Sequence, residues 1–313
     1  MVNCISLNPS LDKSLTIKGF VFWDINRVIE SRVDPGSKGI NVGRVIQKLG
    51  GKAKIFGFIG GYTGRQIQDL LKREGVYHNL TPIKGENRTI INLFDLTTGR
   101  EIRINETGPR ITKGEIKNFL NSLFHSLRKW DFLVISGSIP PGVSGDIYAQ
   151  IIAKANRLGV KSFLDSDGEP FSMGLDAKPF LVKPNRYELG RALNREIKNV
   201  KDVIEGAREI QKKGIEVVVV SGGKKDIICL YKDSLFKISP PHVPVQSTIG
   251  AGDALSGGIA YSLALGSSLE DALRLGAAAG SAKVMMPGTK LFSNSLVKSL
   301  FKKVKVTRLN LWT

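Results

Sequence analysis

Blocks of apolar and polar residues alternate along the chain in patterns that predict strands and helices in turn. Short apolar runs are typical of strands buried on both faces, and they occur at 2–7, 54–59, 131–136, 160–165, 179–183 and 216–221. Apolar residues recur at helical spacing between these runs, in 63–74, 111–128, 143–157 and 199–213. This alternation predicts an α/β fold with a mostly parallel sheet and helices on both of its faces.

Two regions depart from that alternation and predict a small separate sheet. Residues 14–33 read as short strands before the first long helix, and 87–96 with 101–105 form a hairpin across Thr97–Thr98–Gly99. A second hairpin is predicted at 226–231 and 234–238, and the last helices at 252–265, 268–283 and 294–303. We therefore expect one domain over residues 1–313 with a β lid built from segments of about 13–33 and 88–106.

Composition is that of a globular protein, with 42% hydrophobic and 24% charged residues among 313. No apolar run approaches the ~20 residues that a membrane span needs, and the first residues show no basic region followed by a long apolar one. Cys4 and Cys229 each lie in an apolar, strand-like run. These features favour buried thiols and a cytoplasmic protein without a membrane partner.

The net charge of +18 is high for a chain of this length. A nucleic-acid surface, attraction of an anionic substrate and a heat-adapted surface would each produce a basic chain. The basic residues are spread in short pairs, only 301–308 is a local cluster, and no nucleic-acid motif accompanies it. We favour a solvated surface together with an anionic substrate, and expect no nucleic-acid partner.

The stretch 247–258 carries the strongest chemical signal. Gly250, Ala251 and Gly252 have little or no side chain, so a ligand can approach the backbone, and a helix is predicted to follow. The free N–H groups of a helix's first turn bind anions. Asp253 in that turn could take a proton from an attacking hydroxyl while the N–H groups hold a phosphoryl group. It could also only complement the helix dipole, and the string alone does not decide.

Further polar residues follow predicted strands or precede helices. Asp12 comes after Asn8–Pro9 at the end of the first strand, at the edge where open α/β sheets bind ligands, although a polar turn would look the same. Gly36, Lys38 and Gly39 precede a helix that runs to about residue 49 and make a second anion site. The spacing is not that of a Walker loop, and no Ser or Thr follows the lysine.

Two more signals are individually weak. Asn185 and Glu188 follow Lys183–Pro184 and are three apart at a helix start, so they share one face, and their oxygen atoms suit Mg²⁺. Such a pair is more often ordinary surface. Arg88 begins a lid strand, where a guanidinium fork suits a phosphate dianion; the less favoured alternative is a solvated residue at the end of a strand.

Together, and in this order, the motifs resemble the ribokinase-like (PfkB-type) carbohydrate kinases over about residues 1–290. Residues 248–253 are similar to the family's Thr-Gly-Ala-Gly-Asp, with Ile249 as an additional residue. Residues 36–41 are similar to its Gly-Gly-Lys-Gly-x-Asn, with Ser37 in place of the second glycine. Residues 8–12, 24–27 and 136–142 resemble the phosphosugar branch, which contains 1-phosphofructokinases and tagatose-6-phosphate kinases.

The resemblance implies a ribokinase-like three-layer sandwich with an inserted β lid. It implies ATP-dependent phosphorylation of a ketohexose phosphate, with fructose 1-phosphate kinases as the best match and tagatose-6-phosphate kinases inseparable by motif. A kinase of a neutral sugar or nucleoside is a further alternative. Mg²⁺ would be the cofactor, and in this family two lids often cover each other, which implies a homodimer.

The resemblance also implies roles for individual residues. Asp253 would be the catalytic base, and the amides of Gly250, Ala251 and Gly252 the anion hole. Lys38 would meet the phosphate that the substrate already carries. Substrate-binding residues would be Asp12, Arg27, Gly36, Lys38, Gly39, Asn41, Arg88 and Ser138. Nucleotide-binding residues would be Lys183, Asn185, Ser221, Gly222, Gly223, Thr248, Gly250 and Gly252. Mg²⁺ would be held through water by Asn185 and Glu188.

Overall fold

A computed structural model describes residues 1–310, which form fourteen strands and ten helices. The strands are β1 (Val2–Ser6), β2 (Ser10–Ile17), β3 (Glu30–Gly36), β4 (Ala53–Ile59), β5 (Tyr77–Pro82), β6 (Arg88–Asp95), β7 (Arg100–Asn105), β8 (Phe132–Ser136), β9 (Lys161–Asp165), β10 (Leu181–Val182), β11 (Val217–Val220), β12 (Ile227–Tyr231), β13 (Ser234–Ser239) and β14 (Lys305–Asn310). The helices are α1 (Lys38–Lys48), α2 (Gly61–Arg73), α3 (Lys113–Ser126), α4 (Ile147–Arg157), α5 (Gly168–Asp176), α6 (Arg186–Ala192), α7 (Val200–Lys212), α8 (Ala251–Ala264), α9 (Leu269–Val284) and α10 (Asn294–Phe301).

The main sheet has ten strands in the order β14-β13-β12-β11-β10-β9-β8-β1-β4-β5. The strands from β11 to β5 are parallel to their neighbours, while β12, β13 and β14 add an antiparallel edge. Successive residues of a strand point to opposite faces. In β11, Val217 and Val219 therefore pack into one core, and Val218 and Val220 into the other.

Each core is closed by its own layer of helices. One contains side chains of α1, α2, α8, α9 and α10, and the other contains side chains of α3 to α7. The three-layer α/β fold predicted from the sequence is confirmed. None of the helices among residues 1–310 is long and apolar enough to cross a membrane. Cys4 and Cys229 are both buried free thiols, as predicted.

The small sheet has the strand order β3-β2-β6-β7, with β2 and β6 parallel and the outer pairs antiparallel. Both segments that were predicted to leave the main sheet do so. The loop 18–29 between β2 and β3 carries solvent-exposed apolar side chains, of which Trp23 is 99% exposed.

Three elements have no counterpart among the predictions, namely β5, α5 and β14. Residues 301–308 stood out in the sequence only as a basic cluster, yet β14 pairs with β13 at the sheet edge. Edge strands commonly carry basic residues, which hide the strand pattern while discouraging further pairing. Arg308 on β14 also contacts the neighbouring strand, since its guanidinium lies 5.9 Å from the ring centroid of Phe236.

Candidate active site

A cavity of about 450 Å³ lies beyond the carboxyl ends of the parallel strands, the edge at which open α/β sheets bind ligands. Residues at the end of β9 and directly after β10 and β11 contribute to it, as do the starts of α1, α6 and α8 and strand β7 of the small sheet. Its lining comprises Lys38, Asn41, Glu101, Ile102, Arg103, Asp165, Lys183, Asn185, Glu188, Ser221, Thr248, Ile249, Gly250, Gly252 and Asp253. Ten of the residues selected from the sequence are therefore brought to one place.

Helix α8 begins at Ala251, after Gly250 adopts the left-handed conformation with φ +76°. Gly250 and Gly252 line the cavity, whereas the N–H of Ala251 donates to the carbonyl of Thr248 at 3.3 Å. The start of a helix carries a partial positive charge. The geometry therefore suits an anion at the backbone of Gly250 and Gly252 more than at Ala251.

Small residues let α8 lie close to its neighbours. A Cβ added to Gly258 would lie 2.7 Å from the Cα of Gly276 in α9, and one added to Gly257 would lie 2.6 Å from a Val45 methyl group in α1. Distances this short are not tolerated by packed atoms. The glycines after Asp253 therefore set the position of the whole helix, and with it the position of the anion site.

Asp253 is buried in the first turn of α8 and accepts a hydrogen bond of 2.8 Å from Asn41 Nδ2. Burial raises the pKa of Asp253, the nearby Asp165 adds to the rise, and Lys38 and the Asn41 bond oppose it. A carboxylate with a raised pKa is a stronger base than an ordinary aspartate. This environment suits proton abstraction from a hydroxyl.

A network of alternating charges surrounds Asp253 and centres on Asp165, at the end of β9. Lys183 Nζ lies 3.3 Å from Asp165 Oδ2, Lys38 Nζ lies 3.5 Å from Asp165 Oδ1, and Ser256 donates to Oδ2 at 2.6 Å. Burial would raise the pKa of Asp165, but Lys183 and Lys38 hold it below its usual range. Asp165 in turn raises the pKa of Lys38, so this ammonium keeps its charge.

Asp165 was not among the predicted site residues, although the sequence held a signal for it. It ends a predicted buried strand of the main sheet, and the strand-end reasoning that selected Asp12 selects Asp165 as well. Lys183, which the resemblance assigned to the nucleotide, is only 4% exposed. Its ammonium is paired with Asp165, so its first role in this structure is to neutralise a buried carboxylate.

Asn185 and Glu188 form a capping box at the start of α6. Asn185 Oδ1 accepts from the Glu188 N–H at 2.9 Å, and Glu188 Oε2 accepts from the Asn185 N–H at 2.8 Å. Glu188 Oε1 remains directed toward Lys38 Nζ, 3.5 Å away. Within residues 1–310, no three Asp, Glu, His or Cys side chains are grouped so as to hold a metal ion.

The fit to Mg²⁺ follows from these donors. Glu188 Oε1 lies outside the helix cap and faces only the Lys38 ammonium at 3.5 Å, whereas Glu188 Oε2 and the Asn185 oxygen are committed to the cap. Mg²⁺ characteristically keeps several waters and shares its remaining ligands with substrate phosphates. The residues present therefore fit a hydrated Mg²⁺ that arrives with a nucleotide, with Glu188 as the protein contact.

Asp12 is buried on β2 and has one oxygen without a protein partner. Ser10 Oγ donates to Oδ1 at 2.7 Å, while Oδ2 has no partner among the described residues. Burial raises the pKa of Asp12, and Arg103 and Arg88 counteract this. Gly36 on β3 is required beside it, since a Cβ there would lie 2.0 Å from Oδ1. The free oxygen can accept a hydrogen bond from a ligand hydroxyl.

Arg88 and Arg103 place positive charge on the small sheet near Asp12. Arg88 begins β6 and is held by the carbonyls of Asn8, at 3.1 Å from Nη2, and of Glu106, at 3.0 Å from Nη1. Burial lowers the pKa of Arg88, and Asp12 opposes this effect. Arg103 on β7 lines the cavity and was not predicted. Only the register of the small sheet brings it toward the site.

The remaining predicted residues do not line the cavity. Gly39 packs against β1, where a Cβ would lie 2.2 Å from the Ile5 carbonyl oxygen. Ser138 is exposed in the loop after β8. Gly222 and Gly223 follow Ser221, whose backbone pairs with Asn185. Arg27 lies in the exposed loop 18–29 and is not brought to the cavity of its own chain.

Known carbohydrate kinases resemble this chain over almost its whole length. A family model described as pfkB family carbohydrate kinase matches residues 8–295. A 1-phosphofructokinase of Bacillus subtilis is 32% identical over 309 residues, covering 99% of this chain and 100% of the relative. A tagatose-6-phosphate kinase of Staphylococcus epidermidis is 30% identical over 309 residues, covering 98% and 99%.

A solved structure shares the fold over almost its whole length. It is the phosphofructokinase-2 from Escherichia coli in complex with fructose-6-phosphate. The two chains are 32% identical and superpose with a TM-score of 0.90, over 96% of this chain and 98% of that one.

Proposed function

This chain belongs to the pfkB family of carbohydrate kinases, and on that premise we propose that it phosphorylates a ketohexose phosphate with ATP. The substrate that we favour is fructose 1-phosphate, which would become fructose 1,6-bisphosphate. The observation that carries the proposal is the buried Asp253 in the first turn of α8, with Asn41 bonded to it and Lys38 close by. The 32% identity to a 1-phosphofructokinase supports the choice of sugar.

In this reaction a free primary hydroxyl of the sugar gives its proton to Asp253. The hydroxyl oxygen bonds to the γ-phosphorus of ATP as the bond to the β–γ bridging oxygen breaks, and ADP leaves. Negative charge on the transferred group lies against the positive end of α8 at Gly250 and Gly252. When bound, Mg²⁺ supplies charge neutralisation at the phosphates, with Glu188 as its protein contact.

We assign Lys38 to the phosphoryl group in transit and not to the phosphate already on the sugar. Its ammonium lies 3.5 Å from both Asp165 and Glu188, and its charge interacts with Asp253. These neighbours surround the point of transfer. Two carboxylates hold the ammonium in place, so it is already positioned for an anion before the anion binds.

The phosphate already on the sugar then falls to Arg88 and Arg103. Both act electrostatically on Asp12, so all three share one neighbourhood on the small sheet. Asp12 Oδ2 is free to accept a hydrogen bond from a sugar hydroxyl. Guanidinium groups suit a phosphate dianion because their N–H groups form charge-assisted hydrogen bonds with its oxygen atoms. We assign Arg27 no contact with the substrate in its own chain, because it lies in the exposed loop 18–29 and does not line the cavity.

Substrate choice is tested by an ADP-release assay across fructose 1-phosphate, tagatose 6-phosphate, fructose 6-phosphate, fructose and adenosine. We expect kcat/KM to be highest for fructose 1-phosphate. Arg88→Ala should lower it by roughly ten- to a hundredfold, because charged hydrogen bonds to the phosphate are lost. The value for free fructose should not move. A preference for fructose or adenosine in the wild-type protein would refute the proposal.

We also propose a homodimer formed through the small sheet, acting in the cytoplasm, where free thiols such as Cys4 and Cys229 persist. Exposed apolar side chains on the loop 18–29 and on β7 support the dimer. Large exposed apolar patches on a globular protein mark interaction surfaces. Ile17 is not part of such a contact, since it is only 1% exposed.

A further inference from the structure

Lys283 is a buried lysine beside the anion site that the proposed mechanism does not use. It lies in the last turn of α9 and is 2% exposed. Its Nζ donates a hydrogen bond of 2.6 Å to the carbonyl of Gly288. Its Cε lies 3.3 Å from the position of a Cβ built on Gly250. Lysine is seldom buried without a specific partner, so this placement calls for a reason.

The charges around Lys283 come from four elements. Burial lowers its pKa to about 8, Asp253 of α8, Asp34 of β3 and Glu101 of β7 oppose this, and Arg44 of α1 adds to it. At neutral pH the side chain is therefore mostly an ammonium ion. A positive charge is thus fixed directly behind the turn in which an anion would bind.

Lys283 also sits where two segments meet. The carbonyl of Val284, the next residue, accepts from the N–H groups of Gln246 at 2.7 Å and Ser247 at 3.3 Å. These bonds fix the loop that leads into α8. Gly288, which Lys283 binds, precedes Thr289, whose hydroxyl donates to Asp34. The lysine therefore ties the segment after α9 to the back of the catalytic turn.

There is little room beside the ammonium for anything else. The adjoining cavity measures about 10 Å³ and is lined by Asn41, Val45, Ile249, Gly250, Lys283, Thr289 and Leu291. That volume is about what one water molecule needs. A dissociable monovalent cation with its oxygen ligands would not fit next to Lys283 without displacing it.

We propose that Lys283 is a positioning residue for phosphoryl transfer, and that its ammonium serves as a tethered monovalent cation behind Gly250. It binds the Gly288 carbonyl, neutralises the region next to Asp253, and keeps the start of α8 in the geometry that receives the transferred group. The inference rests on the proposed kinase function. Its consequence is that the protein needs no free monovalent cation for activity.

The test compares wild type, Lys283→Met and Lys290→Met in chloride salts of K⁺, Na⁺ and tetramethylammonium at equal ionic strength. Methionine keeps the side chain as far as Cε and removes the charged Nζ. Lys290 is an exposed lysine in the same segment and serves as the matched control. Wild type and Lys290→Met should show the same kcat in all three salts.

In tetramethylammonium, Lys283→Met should lose roughly ten- to a hundredfold in kcat, the scale of one charged hydrogen bond, with little change in KM for the sugar phosphate. K⁺ should restore part of the loss, because it can enter the space that the ammonium leaves and bind the Gly288 carbonyl. The bulky tetramethylammonium ion cannot. A purely structural lysine would give a loss that no cation repairs.

Two results would overturn the proposal: a wild-type kcat that rises with K⁺ over tetramethylammonium, or a Lys283→Met kcat equal to wild type in tetramethylammonium. If Lys283→Met fails to fold, the comparison of wild-type kcat in the three salts still tests the proposal. A second readout is independent of turnover, since K⁺ should raise the Tm of Lys283→Met and leave that of wild type unchanged. A protein that phosphorylates no sugar phosphate would refute the proposed function, while this Tm comparison would still judge Lys283.

Discussion

Ser37 holds a backbone conformation that glycine favours. Its φ of 99° and ψ of 155° place it in a region that is essentially restricted to glycine. The residue immediately precedes α1, so it sets the entry of the chain into the helix that carries Lys38 and Asn41. A hydrogen bond between its Oγ and Ser6 Oγ offsets part of the strain. Ser37, which takes the place of a glycine in this motif, therefore holds a strained backbone conformation.

Ser37→Gly should stabilise the protein by about 1 kcal/mol. Relief of strain contributes ~1–3 kcal/mol, and the greater freedom of glycine in the unfolded chain and the lost hydroxyl bond subtract part of it. Thermal unfolding measures the difference. Ser31→Gly, in an exposed position of β3, is the control and should lower Tm. A lower Tm for Ser37→Gly would show that the hydroxyl bond outweighs the strain.

At the start of helix α6, Glu188 both forms part of the helix cap and is the proposed protein contact for Mg²⁺. Glu188→Gln keeps an oxygen for the capping box, because glutamine accepts the Asn185 N–H as glutamate does. It removes the negative charge, so we expect the Mg²⁺ concentration at half-maximal rate to rise severalfold, with KM for the sugar unchanged. A titration of rate against Mg²⁺ decides. An unchanged midpoint would leave Glu188 with its capping role alone.

The contact of α8 with α9 depends on glycine. Gly258→Ala should cost about 1–3 kcal/mol, because its Cβ would lie 2.7 Å from the backbone of Gly276. Gly280→Ala on α9 is the matched control: its Cβ would find contacts no closer than 3.4 Å, so the better helix propensity of alanine should stabilise it slightly. Denaturant unfolding of both variants measures the difference. Equal effects would contradict this account of the helix contact.

Elements whose apolar residues recur at a regular spacing were predictable from the sequence. Elements whose structure depends on pairing with a neighbouring strand were not. The buried strands, both hairpins and the long helices follow from apolar spacing alone. The sequence of β14 shows only a cluster of basic residues, and its strand structure becomes evident only from its pairing with β13. The site divides in the same way. Asp253 and Lys38 lie in recognisable sequence motifs, so their place in the site was predictable. Arg103 and Lys283 belong to no such motif, and only their proximity to residues distant in the chain brings them to the site.

At the scale of the whole molecule, the small sheet leaves an apolar surface uncovered. Phe22 and Ile25 in the loop 18–29 are 82% and 74% exposed, and Ile104 on β7 is 57% exposed. We expect a dimer by light scattering at micromolar concentration, and Ile104→Asp should shift it to monomer. Val200→Asp, at an exposed apolar position of α7, should not. A wild-type monomer would contradict the proposed contact.

The account as a whole depends on Asp253 as the group that removes the proton of the sugar hydroxyl. Asp253→Asn keeps the shape of the side chain and an oxygen that can accept from Asn41, but it cannot act as the base. Its kcat with ATP and fructose 1-phosphate, measured beside that of wild type, is the most direct test. We predict a loss of ~10²–10⁴ in kcat, with the binding of both substrates largely retained. A variant that turns over at nearly the wild-type rate would contradict the central claim.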